Sequence, residues 1–327
     1  MTAPRSSARQ VLFVVLSYNG YEDTVQCLDS IYANLPDSAA VLVIDNASYP
    51  PVAPALQARF PSTEVIALPT NTGWAGGNNI GIELALERGF EWMCLLNNDT
   101  VFPDGQVTAW CDSLLQAPPA LMHPAIYYWD EPDVAQLCPV GEATWHGNVL
   151  MNYAYGACLG IHRNIFEKIG SFDERFFLQL EETDFYHRAV DAGYVAVCDP
   201  TVKIFHKESR AFGGKQTPSK RYYSTRNSLL LTEKRRESVA VKFALMRDLY
   251  WSIAHAAAAG GNPAGFVPTV RWLLSDAVFA TAVRAGIADY LRRRFGKMPP
   301  GLSAKLVPLP VISLEKQPEI LGTLTEM

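Results

Sequence analysis

The sequence VLFVVLSYN spans residues 11–19 and begins with six consecutive apolar residues. Such a run, rich in β-branched side chains, is typical of a strand that is buried on both faces of a sheet. Residues 21–34 follow it and carry Val25, Leu28 and Ile31 on one side of a helix. This stretch therefore predicts a strand and then a helix that packs on the sheet.

The same alternation continues beyond this first pair. Residues 41–44, 65–68 and 92–96 read as further strands, and residues 77–88 read as a helix closed by Gly89. Alternating strands and helices predict a parallel sheet covered on both faces. We therefore expect an α/β fold with a Rossmann-like, mostly parallel sheet, in which ligands bind at the carboxyl ends of the strands.

Composition and charge narrow the function classes. With 49% hydrophobic and 19% charged residues in 327, the chain is not collagen-like, low-complexity or wholly disordered. A net charge of −5 gives no reason to expect nucleic acid as the partner. Residues 201–247, however, hold twelve Lys or Arg against three Glu, so this segment carries +9 and the remainder −14. Such segregation needs a structural or functional reason.

The cysteine spacing and the amino-terminal sequence indicate the cellular compartment. Six Cys are scattered singly with no CxxC pair, which favours ordinary core thiols in a reducing compartment over disulfides or zinc. The start MTAPRSSARQ lacks the apolar core of a signal sequence, and no stretch has the length of a membrane span. We expect a cytoplasmic protein that can still rest on the inner face of the membrane.

Polar residues follow each of the four strands. A single polar cluster after a strand is usually a turn with a helix cap, but four in succession indicate a binding site. The clusters are Ser17-Tyr18-Asn19, Asp45-Asn46-Ala47-Ser48, residues 71–79 (NTGWAGGNN) and Asn97-Asn98-Asp99.

The second and third clusters suggest a nucleotide. The Asp45 carboxylate can accept hydrogen bonds from a base imide or a ribose, although it can equally cap the next helix. The glycine-rich segment 71–79 leads into a helix, so its backbone donors can face an anion or a ribose. It matches neither G-x-G-x-x-G nor the phosphate loop G-x-x-x-x-G-K-[ST], which argues against dinucleotide or triphosphate hydrolysis chemistry.

Two further groups bear on metal binding and catalysis. Asp99 with weak oxygen neighbours suits Mg²⁺ or Mn²⁺, and the alternative is a simple turn residue. His206, after a strand at 202–205, is either structural or a metal ligand. Glu181 and Glu182 begin a helix at 181–192, where carboxylates stabilise the helix terminus, but one of the two can also face a cleft as a general base.

The basic segment 203–227 is rich in Gly, Ser and Pro and reads as a mobile loop. Its cations can close over a diphosphate and neutralise the leaving group, whereas nucleic acid is the rival ligand. The neighbouring acidic cluster favours a small anionic ligand. The cations are Lys207, Arg210, Lys215, Lys220, Arg221 and Arg226.

The carboxyl-terminal region reads as helical from residue 228. An apolar stripe ends near three arginines, which is typical of a core helix but also of a helix that rests on an anionic membrane. The stripe is Trp272, Phe279, Val283, Ile287, Leu291 and Phe295, and the arginines are Arg292, Arg293 and Arg294.

Taken in order, VLSYN, VIDNAS, NTGWAGGNN, LLNND, GSFDERFF, EETDF, His206 and RYYSTRN resemble the family 2 inverting glycosyltransferases of the GT-A fold, and most of all the bacterial rhamnosyltransferase branch. The resemblance implies a GT-A catalytic domain over residues 11–230, with a nucleotide-binding half at 11–104 and an acceptor half at 105–230. A disordered start at 1–10 and a helical extension at 231–327 flank it.

This resemblance also assigns roles to residues. The family's DxD metal motif falls on Asn97-Asn98-Asp99, so Asn replaces its first Asp, and Asp99, His206 and Asn97 are the expected ligands of Mg²⁺ or Mn²⁺. Glu182 is the expected base, beside Glu181 and supported by Asp184 with Arg188. The expected donor-binding residues are Ser17, Tyr18, Asn19, Asp45, Asn71, Gly73, Trp74, Gly76, Asn78, Asn98, Arg221 and Arg226.

The implied reaction moves a sugar from a UDP- or dTDP-sugar, such as dTDP-rhamnose, to a hydroxyl of a glycan or lipid-linked acceptor in surface polysaccharide synthesis. Two alternatives remain open. One is a non-catalytic nucleotide-sugar-binding protein, suggested by the missing first Asp of the metal motif. The other is a sugar nucleotidyltransferase, although VLSYNG lacks the Gly- and Arg-rich phosphate loop usual there. The sequence also leaves a homodimer open.

Overall fold

The computed structural model describes residues 10–138, 145–208, 217–235 and 266–306. Within these residues the strands form a single sheet. In chain order they are β1 (Val11–Ser17), β2 (Ala39–Asp45), β3 (Glu64–Ala67), β4 (Trp92–Asn97), β5 (Thr100–Val101), β6 (Leu121–Tyr128), β7 (Ala135–Leu137), β8 (Val149–Met151), β9 (Cys158–His162) and β10 (Ala196–His206).

The helices of the described residues lie between and after these strands. They are α1 (Tyr21–Tyr32), α2 (Ala53–Arg59), α3 (Gly73–Glu87), α4 (Gln106–Gln116), α5 (Arg163–Ile169), α6 (Glu181–Asp191), α7 (Pro218–Arg235), α8 (Phe266–Leu273), α9 (Val278–Leu291) and α10 (Pro300–Leu306).

The sheet has the strand order β3-β2-β1-β4-β9-β6-β10-β5, with β7 beside β6 and β8 beside β10. Strands β3, β2, β1 and β4 are mutually parallel, and β6 and β10 form a second parallel pair. The antiparallel strand β9 joins the two parts. The expected α/β fold with a mostly parallel sheet is therefore confirmed.

Strand register brings the polar clusters together. Every residue of β1 is buried, as its apolar run predicts. Ser17 at its end pairs with Asp45 of β2, and Leu16 pairs with Asn97 of β4. Because parallel strands end at the same edge, the residues after β1, β2 and β4 meet there.

Helix α3 begins earlier than the sequence indicated, at Gly73 rather than residue 77. It lies close against β1, because a Cβ atom at Gly81 would be 2.4 Å from Cγ1 of Val14. Only a glycine permits this approach without displacing the strand. The glycine-rich segment is therefore largely the first turns of a helix that packs on the sheet.

The basic segment is more ordered than expected. Residues up to His206 belong to β10, and α7 starts at Pro218 instead of a loop running to residue 227. Tyr222, Leu229 and Leu230 of α7 are buried against the carboxyl-terminal helices, which explains why this polar stretch is helical. Arg210 and Lys215 lie outside the described residues.

The carboxyl-terminal helices pack mainly on α7. Trp272, Phe279, Val283 and Ile287 of the expected stripe cluster together, as a core helix requires. Leu291 departs from the stripe because 71% of it is exposed. Phe295 follows the end of α9 and packs near Tyr290.

Two further expectations concern the whole chain. All six cysteines are free, and all but Cys138 are buried, which agrees with core thiols. Among the helices that the structure describes, none is long and apolar enough to cross a membrane.

Candidate functional site

A cleft of about 300 Å³ opens at the carboxyl ends of β1, β4 and β10. Eleven residues singled out from the sequence line it: Tyr18, Asn71, Gly73, Trp74, Asn97, Asn98, Asp99, Glu181, Glu182, His206 and Lys220, the last as one of the cations expected over a diphosphate. Its lining also includes residues to which the sequence gave no specific role, namely Leu16, Asn46, Tyr155, Gly156, Ala157, Phe177, Leu178, Gln179 and Glu208.

Several residues expected in the nucleotide pocket instead support its walls. The buried Asp45 accepts a hydrogen bond from the Ser48 amide at 3.0 Å, and Ser17 bonds to Thr24 at 2.9 Å. Asn19 accepts from the Tyr49 amide through its side chain at 2.7 Å. These contacts fix the loops after β1 and β2, so the side chains lie behind the lining of the cleft.

The glycine-rich segment does not offer the expected row of free backbone donors. The amide of Thr72 donates to Asn46 Oδ1 at 2.8 Å, that of Gly73 to Asn71 Oδ1 at 2.8 Å, and that of Trp74 to the Phe177 carbonyl at 2.7 Å. These protein acceptors take the donors that we expected to face an anion. Gly76 and Asn78 also lie outside the lining, and Asn78 Nδ2 donates to the Trp74 carbonyl at 2.9 Å.

The two expected arginines are not at the cleft. Arg226 is completely buried and donates to the backbone carbonyls of Arg175, Phe176 and Gly296. Arg221 lies outside the cleft lining, and burial lowers its pKa. Among the described residues, Lys220 is the cation that lines the cleft. Burial lowers the pKa of Lys220, whereas the neighbouring carboxylates of Glu208 and Asp99 act to raise it.

The side chain of Asn97 lines the cleft but also accepts a hydrogen bond from a tryptophan. Trp74 Nε1 donates to Asn97 Oδ1 at 2.9 Å. The hydrogen bond engages one lone pair of the oxygen that was expected to bind metal, so Asn97 is a weaker ligand than the Asp it replaces. Asn98 donates to Thr24 Oγ1 at 2.9 Å and so ties the end of β4 to α1.

Asp99 and His206 form a pair suited to a divalent cation. Both are buried, and His206 Nε2 lies 3.2 Å from Asp99 Oδ1. Gln136 sets the imidazole tautomer. Its Nε2 donates to the His206 carbonyl at 3.0 Å, which leaves its Oε1 to accept from His206 Nδ1 at 2.8 Å.

The proton of His206 therefore resides on Nδ1, and the Nε2 lone pair faces the carboxylate. Within the described residues this buried Nε2 has no hydrogen-bond partner. An imidazole nitrogen and a carboxylate oxygen at this separation are both ligand types of divalent metal ions, so the pair fits a shared metal ion. In the described ranges no three His, Cys, Asp or Glu side chains are arranged so that they could hold a metal ion together, so other ligands of the ion would come from bound substrate or water.

Across the cleft, Glu181 and Glu182 begin α6. Burial raises the pKa of Glu182 to about 7, against hydrogen bonds from the helix start that lower it. Burial, followed by the charge of Glu182, raises the pKa of Glu181 well above its ordinary value. Both carboxyl groups therefore bind a proton more strongly than an exposed glutamate does, and Glu182 is poised to exchange its proton near neutral pH.

Asp184 lies behind this pair, outside the cleft lining. Its carboxylate pairs with Arg188 Nε at 2.9 Å, as the i,i+4 spacing predicts, and also with Lys234 Nζ at 2.6 Å. Asp184 thus anchors α6 to α7 and does not reach the cleft.

Comparisons with known proteins find glycosyltransferases. Residues 12–170 match the family model described as "Glycosyl transferase family 2". The chain is 22% identical to an N-acetylglucosaminyl-diphospho-decaprenol L-rhamnosyltransferase of Mycobacterium tuberculosis. The 235 aligned residues cover 61% of this chain and 76% of that protein. This chain is 21% identical over 267 residues to the dTDP-rhamnosyl transferase RfbF of Shigella flexneri, over 74% and 85% of the two chains.

Solved structures extend the likeness to most of the fold. A mannosyltransferase from Pyrobaculum calidifontis, in complex with GDP-Man and Mn²⁺, has a TM-score of 0.53 at 17% identity and covers 88% of each chain. TarS of S. aureus, in complex with UDP-GlcNAc, has a TM-score of 0.54 at 13% identity over 91% of this chain and 84% of that one.

Proposed function

We propose that this chain, a family 2 glycosyltransferase of the rhamnosyltransferase-like type on a GT-A fold, transfers a sugar from a nucleotide-diphosphate sugar. The proposed acceptor is a hydroxyl of a glycan or of a lipid-linked glycan. The observation that supports this most is one cleft that holds both a titratable carboxylate and a pair of metal-ligating side chains.

The proposed reaction is a single inverting displacement. Glu182 accepts the proton of the acceptor hydroxyl while that oxygen attacks the anomeric carbon of the donor sugar. The bond from that carbon to the diphosphate oxygen breaks on the opposite face, and the nucleoside diphosphate leaves with the bonding electrons. A pKa of about 7 suits this role, because Glu182 then ionises at physiological pH and still binds the proton strongly.

The negative charge on the leaving diphosphate is neutralised by groups on the other side of the cleft from Glu182. Asp99 and His206 would hold Mg²⁺ or Mn²⁺, which when bound supplies charge neutralisation for phosphate oxygens. Lys220 adds a cation from the start of α7. The raised pKa of Glu181 favours its neutral form, which limits the negative charge beside Glu182. The base and the groups that would neutralise the leaving diphosphate thus line the same cleft.

For the donor, we propose dTDP-rhamnose first and a UDP-sugar second. Two relatives are named as rhamnosyltransferases, and one of them as a dTDP-rhamnosyl transferase. The acceptor of the Mycobacterium relative is a diphospho-decaprenol glycan by its name, which supports a lipid-linked acceptor.

A panel of donors tests this proposal by thermal unfolding. The chain is heated with dTDP-rhamnose, UDP-GlcNAc or GDP-mannose, each with and without Mn²⁺. A donor present at 100 times its Kd stabilises the fold by about 2.7 kcal/mol, which is a clear shift in Tm. We expect the largest shift with dTDP-rhamnose and Mn²⁺, and a smaller one for Asp99→Asn. Equal Tm values with all three donors and without any would contradict the proposal.

A lipid-linked acceptor suggests that the chain docks at a membrane surface. Val267, Leu274 and Leu291 are exposed, with Leu274 at 74%, and the exposed Arg292 and Arg294 follow the last of them. Exposed apolar side chains beside cations favour an anionic bilayer. Flotation with anionic liposomes is expected to carry the full chain but less of a Leu274→Glu, Leu291→Glu variant. Equal flotation of the two would exclude this surface.

A further inference from the structure

A short loop that leads into α6 has an unusual backbone. Phe177, Gln179 and Leu180 all have positive φ angles, of 64°, 74° and 74°. Residues other than glycine are strained in this left-handed region and persist there only where their surroundings enforce the conformation. Phe177 and Gln179 line the cleft, and Leu180 directly precedes Glu181 and Glu182. The conformation of this loop, residues 176–180, therefore determines where the carboxylates of α6 point.

Asn227 of α7 holds the loop from behind. Its Nδ2 lies 2.8 Å from the Phe176 carbonyl oxygen, 2.8 Å from that of Leu178 and 2.7 Å from that of Gln179. The side chain is completely buried. Two N–H groups thus serve three carbonyls of the left-handed turn. The Phe176 carbonyl also accepts from the Leu178 amide, at 2.7 Å, so the loss of Asn227 would bear most on the carbonyls of Leu178 and Gln179.

Arg226 fixes the orientation of that amide. Its Nε donates to Asn227 Oδ1 at 3.0 Å, so the amide nitrogen must face the loop. Its Nη2 donates to the Phe176 carbonyl at 3.0 Å, and its Nη1 to the Gly296 carbonyl at 2.7 Å. The arginine therefore joins the loop, α7 and the segment after α9.

Other contacts of α7 reach the same region. The rings of Phe177 and Tyr223 are stacked with centroids 5.3 Å apart. Lys234 at the far end of α7 pairs with Asp184 of α6. The loop and the helix that bears Glu182 are thus both attached to α7, although Asn227 and Arg226 are not among the residues that line the cleft.

We propose that Asn227, oriented by Arg226, is a positioning residue for sugar transfer: it enforces the left-handed loop at 176–180 and thereby aims Glu182 into the cleft. The inference rests on the proposed function of Glu182 as the base. It also assigns the RN pair of RYYSTRN to the support of the base rather than to the diphosphate, and it makes α7 necessary for catalysis.

The test compares two substitutions of Asn227 with a matched control on the same helix. Asn227→Asp keeps the shape but turns a carboxylate oxygen toward the three carbonyls, and Asn227→Ala removes the donors without adding charge. Thr225→Val is the control, because Thr225 is buried and its Oγ1 has no hydrogen-bond partner within the described residues. The measurements are amide hydrogen exchange of residues 176–184, kcat and KM for the donor, and the pH profile of kcat.

We expect both Asn227 variants to exchange amides of residues 176–184 at least tenfold faster than the wild type. We also expect kcat to fall at least tenfold, with less than a threefold change in donor KM, and the pH midpoint of kcat to move away from about 7 as Glu182 shifts. Thr225→Val should match the wild type in all three. If Asn227→Asp does not fold, Asn227→Ala gives the same comparison.

Unchanged exchange in a folded Asn227 variant would overturn the proposal, since the loop would then hold its shape alone. Faster exchange with an unchanged kcat and pH midpoint would also overturn it, because the loop would not position the base. If the wild type turns over no donor while both variants exchange faster, the support of the loop by Asn227 stands and the proposed function fails.

Discussion

Replacing Glu182 by glutamine is expected to abolish sugar transfer and, at the same time, to stabilise the protein above pH 7. Burial raises the pKa of this carboxyl from its ordinary value of 4.5 to about 7. Folding therefore favours the protonated form, so the contribution of this carboxyl to stability is fully present below pH 4.5 and is lost as the pH rises to 7. At 1.36 kcal/mol per pKa unit, the loss amounts to about 3 kcal/mol.

Glutamine carries no charge and avoids this loss. The free energy of unfolding of Glu182→Gln should therefore nearly equal that of the wild type at pH 4 and exceed it by up to about 3 kcal/mol at pH 8. Chemical denaturation at the two pH values measures this difference. The same substitution removes the base, so turnover should fall by about 10²- to 10⁴-fold while donor binding is spared.

Glu181→Gln separates the two carboxylates. Burial raises the pKa of Glu181 well above its ordinary value and favours its neutral form, which cannot accept a proton, so this variant should keep far more turnover than Glu182→Gln. Retained turnover in Glu182→Gln would refute the reasoning and move the base to Glu181. A stability difference that is the same at pH 4 and pH 8 would refute the proposed ionisation of Glu182.

The remaining predictions concern pH, the metal pair and the leaving group. In the wild type, kcat/KM should rise with pH to a plateau, with a midpoint near 7, because only ionised Glu182 accepts a proton; a profile without such a midpoint would argue against it. Asn97→Asp should bind Mn²⁺ at least tenfold more tightly in a calorimetric titration, since it restores a carboxylate beside Asp99. Gln136→Leu should weaken Mn²⁺ binding by about 10- to 100-fold and change the ¹⁵N signals of His206, because the tautomer is no longer fixed. Lys220→Met should lower kcat by about tenfold or more with an unchanged Tm, and an unchanged kcat would place the charge compensation elsewhere.

The sequence predicts the sheet edge well because the determinants are local. An apolar run such as residues 11–16 defines a buried strand by itself, and the polar residue that ends it must lie at the sheet edge. Asp99 and His206 were singled out in this way, each at the end of a strand, whereas Glu182 at the start of α6 was chosen over Glu181 through the family resemblance; all three line the cleft.

What the sequence did not predict depends on contacts between distant segments. The backbone donors of residues 72–74 are used by Asn46, Asn71 and Phe177, and no local pattern reveals that these acceptors are near. Arg226 bonds to a carbonyl fifty residues earlier in the chain. Its position beside the buried Leu229 and Leu230, on a helix face that packs into the protein, is the signal that favoured a structural role over a diphosphate ligand.

Gln136 is a similar case. It lies on the short strand β7, seventy residues before the histidine that it orients, and a lone glutamine carries no recognisable motif. Only the pairing of β7 with β6 and the adjacent β10 brings the two side chains together.

The most direct test of the account is the reaction itself. The chain is incubated with dTDP-rhamnose, Mn²⁺ and a lipid-linked glycan acceptor, and both the released nucleoside diphosphate and the anomeric configuration of the product are measured by NMR. The account predicts that nucleoside diphosphate is released together with a product of inverted configuration, and that both are lost on chelation of the metal and in Glu182→Gln. A product of retained configuration, or full turnover in Glu182→Gln, would contradict it.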